Sequence, residues 1–226
     1  MAPSFAGRTF VLRIDRSPID ETTTLAGDLA FLMQRDVRPI VVAPTTDAAR
    51  SYVRALNRER SVAVGLSGAD AALLPARGRE AIGRVQTGIL ATLTSAGYIP
   101  VIEPTAYAFA SDDDVQLSAD DVAAAVAAAT EAVRAVFFHA AGGIVDPSSR
   151  ALLHELTPAE ALALAEHEDL DPAARAVIRA AARVVRGGVH AAHILDGRVA
   201  HAAIVELLTD RHLGTQVTGT VYLGAA

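Results

Sequence analysis

Residues 39–68 read PIVVAPTTDAARSYVRALNRERSVAVGLSG, and they set the fold class. Pro39 to Val42 is a short apolar, β-branched run of the kind buried in a sheet. Thr46 to Glu59 follows with a helical pattern. Ser61 to Leu66 returns to a strand and ends in a glycine-rich turn at Gly65, Ser67 and Gly68. A strand, a helix and a strand in this order predict a parallel sheet with helices packed on it.

The pattern continues in both directions. Upstream, Phe10 to Ile14 reads as a strand, and Thr22 to Arg35 as a helix with Leu25, Leu29 and Leu32 at helical spacing. Downstream, Arg84 to Gly88 reads as a strand edge, Ile89 to Ala96 as a helix stopped by Gly97, and Tyr98 to Ile102 as a strand. Ser111 to Asp114 reads as an irregular acidic loop. A helix is expected from Ser118 to Val133, with Ser118 as N-cap and Asp120 and Asp121 at its positive end. Ala135 to Phe138 is again a strand. Thr157 to Ala165 opens with a cap and a proline, and Pro172 to Val185 is a helix ended by Gly187 and Gly188. His190 to Leu195 and Gly219 to Leu223 are expected as closing strands. The whole is expected to be one three-layer α/β/α sandwich spanning residues 1–226, with a mainly parallel central sheet and a lobe boundary near Val133.

Composition narrows the chemistry. The 226 residues include no cysteine, which excludes disulfides, thiolate metal sites and cysteine nucleophiles. All 20 basic residues are arginine, so Schiff-base lysines and a P-loop lysine are excluded as well. A net charge of −6 argues against nucleic-acid binding, which needs a basic surface to release counterions. The apolar stretches are too short to cross a bilayer, and residues 1–10 lack the apolar core of a signal peptide. A cytoplasmic protein is expected.

The short motifs say less. Gly142-Gly143 does not extend to a dinucleotide fingerprint, and the glycines around Ser67 are wrongly spaced for a nucleophile elbow. His190 and His193 are three apart in a strand, on opposite faces, and so cannot share a metal. Asp112, Asp113 and Asp114 read as a solvated loop, with Mg²⁺ held through water as the alternative.

Five segments in order nevertheless resemble the amino-acid kinase family, within it the acetylglutamate kinase branch. They are AVGLSGAD (63–70), GYIPVI (97–102), Ser118-Ala119-Asp120 with the alanine-rich helix, LTPAE (156–160), and residues 186–215 from Arg186-Gly187-Gly188 to Leu213-Gly214-Thr215. The resemblance implies ATP-dependent phosphoryl transfer to a carboxylate with Mg²⁺, in which cations and glycine N–H donors cancel charge spreading over the phosphoryl oxygens. It places Arg13 where the family has a lysine, and Asp15 and Arg16 where it has a glycine pair. Its second glycine-rich turn falls on Ala43-Pro44-Thr45-Thr46, and its second lysine on or near Val177. Helical geometry puts Val177 on a buried stripe with Ala181 and Val184, and Arg175, Arg179 and Arg183 on a solvated stripe.

By resemblance, Asp120 and Arg13 are the candidate catalytic residues. Gln116 and Ser118 are the substrate-binding candidates, and Gly142, Gly143 and Ser67 the nucleotide-binding ones. Three readings stay open: a relative without phosphoryl transfer that binds a nucleotide or small acidic metabolite or serves as a regulatory subunit, with no cofactor required; an active kinase using ATP, Mg²⁺, Arg13 and Asp120 on an acylated or carrier-bound acidic amino acid; and a pocket rebuilt around His139 and Asp120. The resemblance implies a homodimer, or a subunit of a heteromer.

Overall fold

The computed structural model describes residues 5–15, 23–78, 81–140, 142–209 and 211–219. In chain order its elements begin with β1 (Thr9–Arg13), α1 (Thr23–Gln34), β2 (Arg38–Val42), α2 (Thr46–Glu59) and β3 (Ala63–Leu66). The short strands β4 (Ala76–Arg77) and β5 (Ala81–Ile82) come next, then α3 (Gly88–Ser95) and β6 (Ile99–Ile102). The hairpin β7 (Thr105–Ala108) and β8 (Asp113–Gln116) precedes α4 (Ala119–Ala129) and β9 (Arg134–Phe138). The last part holds β10 (Glu155–Leu156), α5 (Pro158–Leu164), α6 (Pro172–Arg186), β11 (Ala191–Leu195), α7 (Ala202–Leu208) and β12 (Thr215–Thr218).

Eight strands form one sheet in the order β10-β12-β11-β9-β1-β2-β6-β3. β12 is antiparallel to β11 and parallel to β10; every other neighbouring pair is parallel. Strand alternation divides the core into two layers. Phe10 and Leu12 of β1 and Ile14 just beyond it pack with Leu25, Leu29 and Leu32 of α1, Leu56 of α2 and Leu207 of α7. Val11 faces the other way, toward Val122 and Val126 of α4 and Val177 and Val184 of α6. The expected three-layer sandwich with a mainly parallel sheet is therefore present.

Several elements differ from the sequence expectation. Residues 84–87 form no strand; the local pairing is β4 with β5, and Gly88 opens α3. The acidic stretch is not an irregular loop but the turn and outgoing strand of a hairpin in which Tyr107 faces Asp114 and Ala108 faces Asp113. Asp112 takes the left-handed turn conformation at φ +60°, which Asp tolerates better than most residues. α4 stops at Ala129, four residues early, because the Thr130 hydroxyl donates to Val126 O at 2.7 Å and Glu131 turns left-handed at φ +51°. The final described strand is Thr215–Thr218; of the expected Gly219 to Leu223 strand, Gly219 lies beyond it and 220–223 lie outside the described residues. The sequence pattern gives no sign of the short elements β7, β10 and α7. α7 has no side-chain N-cap, and His201 before it is left-handed at φ +57°, so it lacks the usual start signal.

Candidate functional site

β1 has β2 on one side and β9 on the other, so the chain leaves the middle of the sheet in opposite directions. In open α/β sheets such a reversal opens a crevice beyond the carboxyl ends of the strands. Arg13 closes β1 at that end. Alternation sends its side chain to the Val11 face, where α4 lies, and Ser118 starts α4 by accepting from Asp121 N. Asp120 therefore sits in the first turn of α4, over the end of β1.

The two residues meet. Arg13 Nε lies 2.7 Å from Asp120 Oδ1, with both side chains largely buried, at 14% and 11% exposure. The N–H is not aimed at that oxygen, so the contact is an ion pair without a well-aligned hydrogen bond. Arg13 Nη1 donates to Phe138 O at the end of β9 (3.1 Å) and lies 3.6 Å from Asp15 Oδ1. One guanidinium thus ties β1, β9 and α4 together and faces two carboxylates. Burial pushes the Asp120 carboxyl up; Arg13 offsets this in part, the Asp121 charge adds to the rise, and His139 and Asp15 act in opposite directions.

From the opposite layer, the Tyr52 hydroxyl of α2 donates to Asp15 O at 2.9 Å. Burial and the Asp15 charge hold that phenol protonated well above its ordinary value. Tyr52 was not singled out by sequence, because it sits on the apolar stripe of α2 and reads as core. Ala43 to Thr46, where the resemblance expects a glycine-rich cradle, serves as a helix cap: the Thr45 side chain accepts from Ala48 N. Arg16 lies outside the described residues.

On the β9 side, His139 is buried and its backbone N–H donates to Leu195 O at 2.8 Å. It lines a crevice of about 580 Å³ together with Gly143, Ile144, Arg150, Asp171 and Ala174. Gly142 has φ +75°. A Cβ on Gly143 would stand 2.6 Å from Leu152 Cδ1 and 3.0 Å from the Gly214 backbone, so close packing already requires glycine there.

Ser67 does not join this group. It follows β3 at the far edge of the sheet, four strand spacings from β9, or about 19 Å. Its N–H and hydroxyl both donate to Asp70 Oδ2, at 2.7 and 2.8 Å. Gln116 donates to Pro104 O at 2.9 Å and Ser118 caps α4; both are exposed at the approach to Asp120.

Val177 is 1% exposed in the α6 core, as the helical pattern requires. Of the arginine stripe, Arg183 is exposed and pairs with Asp121, Arg179 is half-buried and donates to Glu166 Oε1 at 2.9 Å, and Arg175 is half-buried. Among the described residues, no group of three or more His, Asp or Glu side chains could hold a metal, the Asp112 to Asp114 run included. His193 is buried against Glu206 of α7, Nδ1 to Oε1 3.0 Å, while His190 is exposed at the other end of the strand.

A model of the amino acid kinase family matches residues 46–196. The chain belongs to that family. An acetylglutamate kinase of Thermosynechococcus vestitus is 31% identical over 272 aligned positions, covering 96% of this chain and 90% of the relative. Since this chain has 226 residues, that relative carries segments this one lacks. An acetylglutamate kinase of Prochlorococcus marinus (strain MIT 9303) is 38% identical over 186 residues, covering 75% of this chain and 58% of the relative. In fold, the chain is similar to N-acetylglutamate synthase from Neisseria gonorrhoeae, solved with coenzyme A and N-acetyl-glutamate: TM-score 0.80, 22% identity, 96% of this chain and 61% of that one. The chain is thus an acetylglutamate kinase-like family member, and among the described residues no helix is long and apolar enough to cross a membrane.

An ATP-dependent transfer would need positive charge around the reacting phosphoryl group. At the end of β1 the Arg13 charge is already met by Asp120 and Asp15, while the two carboxylates are of the type that holds Mg²⁺.

Proposed function

We propose that this family member is a small-molecule-binding or regulatory relative of acetylglutamate kinase in which phosphoryl transfer is lost or severely impaired. The observation that carries the reading is the pairing of Arg13 with Asp120, with Asp15 beside it, while Val177 is sealed in the core. A guanidinium turned toward two carboxylates is a weak phosphate clamp, and its planar head does not substitute for a compact ammonium. If each missing donor costs about 3 kcal/mol in the transition state, three losses slow turnover by several powers of ten. The crevice beside His139 and Gly143 is where a nucleotide or small acidic metabolite would bind, in a cytoplasmic protein acting as a homodimer or within a heteromer.

The test is acyl-phosphate trapping. Protein incubated with Mg-ATP, N-acetylglutamate and hydroxylamine is expected to give no hydroxamate above the protein-free background. Hydroxamate that rises with protein and disappears in Asp120→Asn would overturn the reading.

A second reading, an active kinase phosphorylating an acylated or carrier-bound acidic amino acid, is favoured by one observation: a 31% identity to an acetylglutamate kinase that runs through 96% of this chain. The same assay with N-acetylaminoadipate or a carrier-bound glutamate as acceptor separates the two.

A further inference from the structure

The amino ends of the parallel strands, at the opposite edge of the sheet from Arg13 and Asp120, open onto a crevice of about 850 Å³. Its charged lining is Arg8, Arg38, Arg134 and Glu131, with His190 at one side. Three arginines against one glutamate is a local reversal of sign in a chain whose net charge is −6. Among the described residues, neither Arg8 nor Arg38 takes part in an ion pair, a state they share with Arg58 and Arg84 outside the crevice.

The rest of the lining is held in place. Arg134 donates from Nη1 to Val133 O at 2.9 Å, and its guanidinium stands over the Phe5 ring, 5.2 Å from the centroid. The same Nη1 lies 3.1 Å from His190 Nδ1. A guanidinium only donates, so Nδ1 accepts, and the ring proton of neutral His190 must sit on Nε2 as a further donor. Sheet register places two of the arginines: Arg38, opposite Thr9, leaves β2 on the Val11 face, and Arg134, opposite Phe10, leaves β9 on the other face, so they line the crevice from its two sides. The two arginine backbones are therefore about 10 Å apart across one intervening strand. Three cationic side chains on one crevice suit a ligand with more than one anionic group.

We infer that this amino-edge crevice is a second binding site, for a compact small molecule bearing at least two oxyanion groups, carboxylate or phosphate. Its volume falls within the range of small-molecule sites, roughly 300–1,000 Å³. Arg8 and Arg38 supply the charge, and Arg134 with His190 supplies an oriented donor pair. The site is separate from the carboxyl-end crevice and does not depend on what that crevice binds.

The experiment is calorimetric titration of the full chain with citrate and, separately, pyrophosphate at low ionic strength, repeated with Arg8→Gln, Arg8→Gln/Arg38→Gln, and the control Arg58→Gln/Arg84→Gln. Saturable one-site binding of either probe is expected, weakened at least tenfold in the crevice double variant and less than twofold in the control. Preference for citrate or pyrophosphate assigns the carboxylate or phosphate class. In parallel, the NMR resonances of His190, assigned through His190→Gln, should shift on saturation with the probe. Absence of saturable binding, equal weakening in both double variants, or a His190 signal unmoved at saturation would overturn the inference. The Arg8→Gln variant, altering one exposed side chain, keeps the test decisive if the double variant fails to fold.

Discussion

Arg13 Nε stands 2.7 Å from Asp120 Oδ1 and joins the last residue of β1 to the first turn of α4 at the point where the sheet reverses direction. A buried pair of this kind is costly to break and far less costly to replace as a whole, because removing one partner strands the other's charge.

Arg13→Met should therefore destabilise the protein by about 3 kcal/mol, and Arg13→Met/Asp120→Leu by clearly less than the sum of the two single changes. Urea unfolding of the four proteins gives the coupling energy directly. Strictly additive effects would mean that the pair contributes nothing beyond its separate side chains.

The Asp120 carboxyl titrates above its ordinary value of 3.8, mainly through burial. The folded state then holds its proton more tightly than the unfolded chain. Stability from this group is complete below about pH 3.8 and is lost as pH rises through the higher folded value. Burial pushes the Glu206 carboxyl up, but hydrogen bonds from His193 and Leu213 N–H together bring it below its ordinary value; it works in the opposite sense, so Asp120 must be isolated by comparison. The difference in unfolding free energy between wild type and Asp120→Asn should move in favour of Asn as pH rises above 3.8. A pH-independent difference would contradict the assignment.

Two glycine substitutions separate close packing from chain entropy. A Cβ on Gly68 would stand 2.3 Å from Thr105 O and 2.8 Å from Ala106 Cα, both backbone atoms. Gly68→Ala should cost about 1–3 kcal/mol or more. Gly27 lies inside α1 with nothing within 4 Å of its added Cβ, and Gly27→Ala should stabilise by roughly 0.5–1 kcal/mol. Thermal or urea melts of both variants check the opposite signs.

Burial also divides the carboxylate contacts. Glu206 accepts from Leu213 N–H at 2.6 Å and pairs with buried His193, whereas Glu166 meets Arg179 at the surface. Glu206→Ala should cost on the order of 3 kcal/mol and Glu166→Ala less than about 1 kcal/mol. Comparable losses in urea melts would be the wrong result.

The sheet was readable because its strands are short β-branched runs and its helices carry long apolar stripes; α2 and α6 begin where Thr45 and Asp171 cap them. The acidic hairpin was not, since Asp113 and Asp114 are poor strand formers held by pairing with Ala108 and Tyr107. The candidate site was legible in part. Helix and strand periodicity put Val177 in the core. That Arg13 and Asp120 touch, that Tyr52 holds the Asp15 backbone, and that Ser67 sits about 19 Å from the β9 turn all depend on strand order. Nothing in the linear pattern specifies that order.

The most direct test of the central claim is a single-turnover measurement with the protein in excess over γ-labelled ATP, Mg²⁺ present and N-acetylglutamate saturating. A cation already engaged by two carboxylates predicts that label remains in ATP over hours, alike in wild type and Asp120→Asn. Transfer of label to the acceptor within minutes by wild type, abolished in Asp120→Asn, would contradict the account.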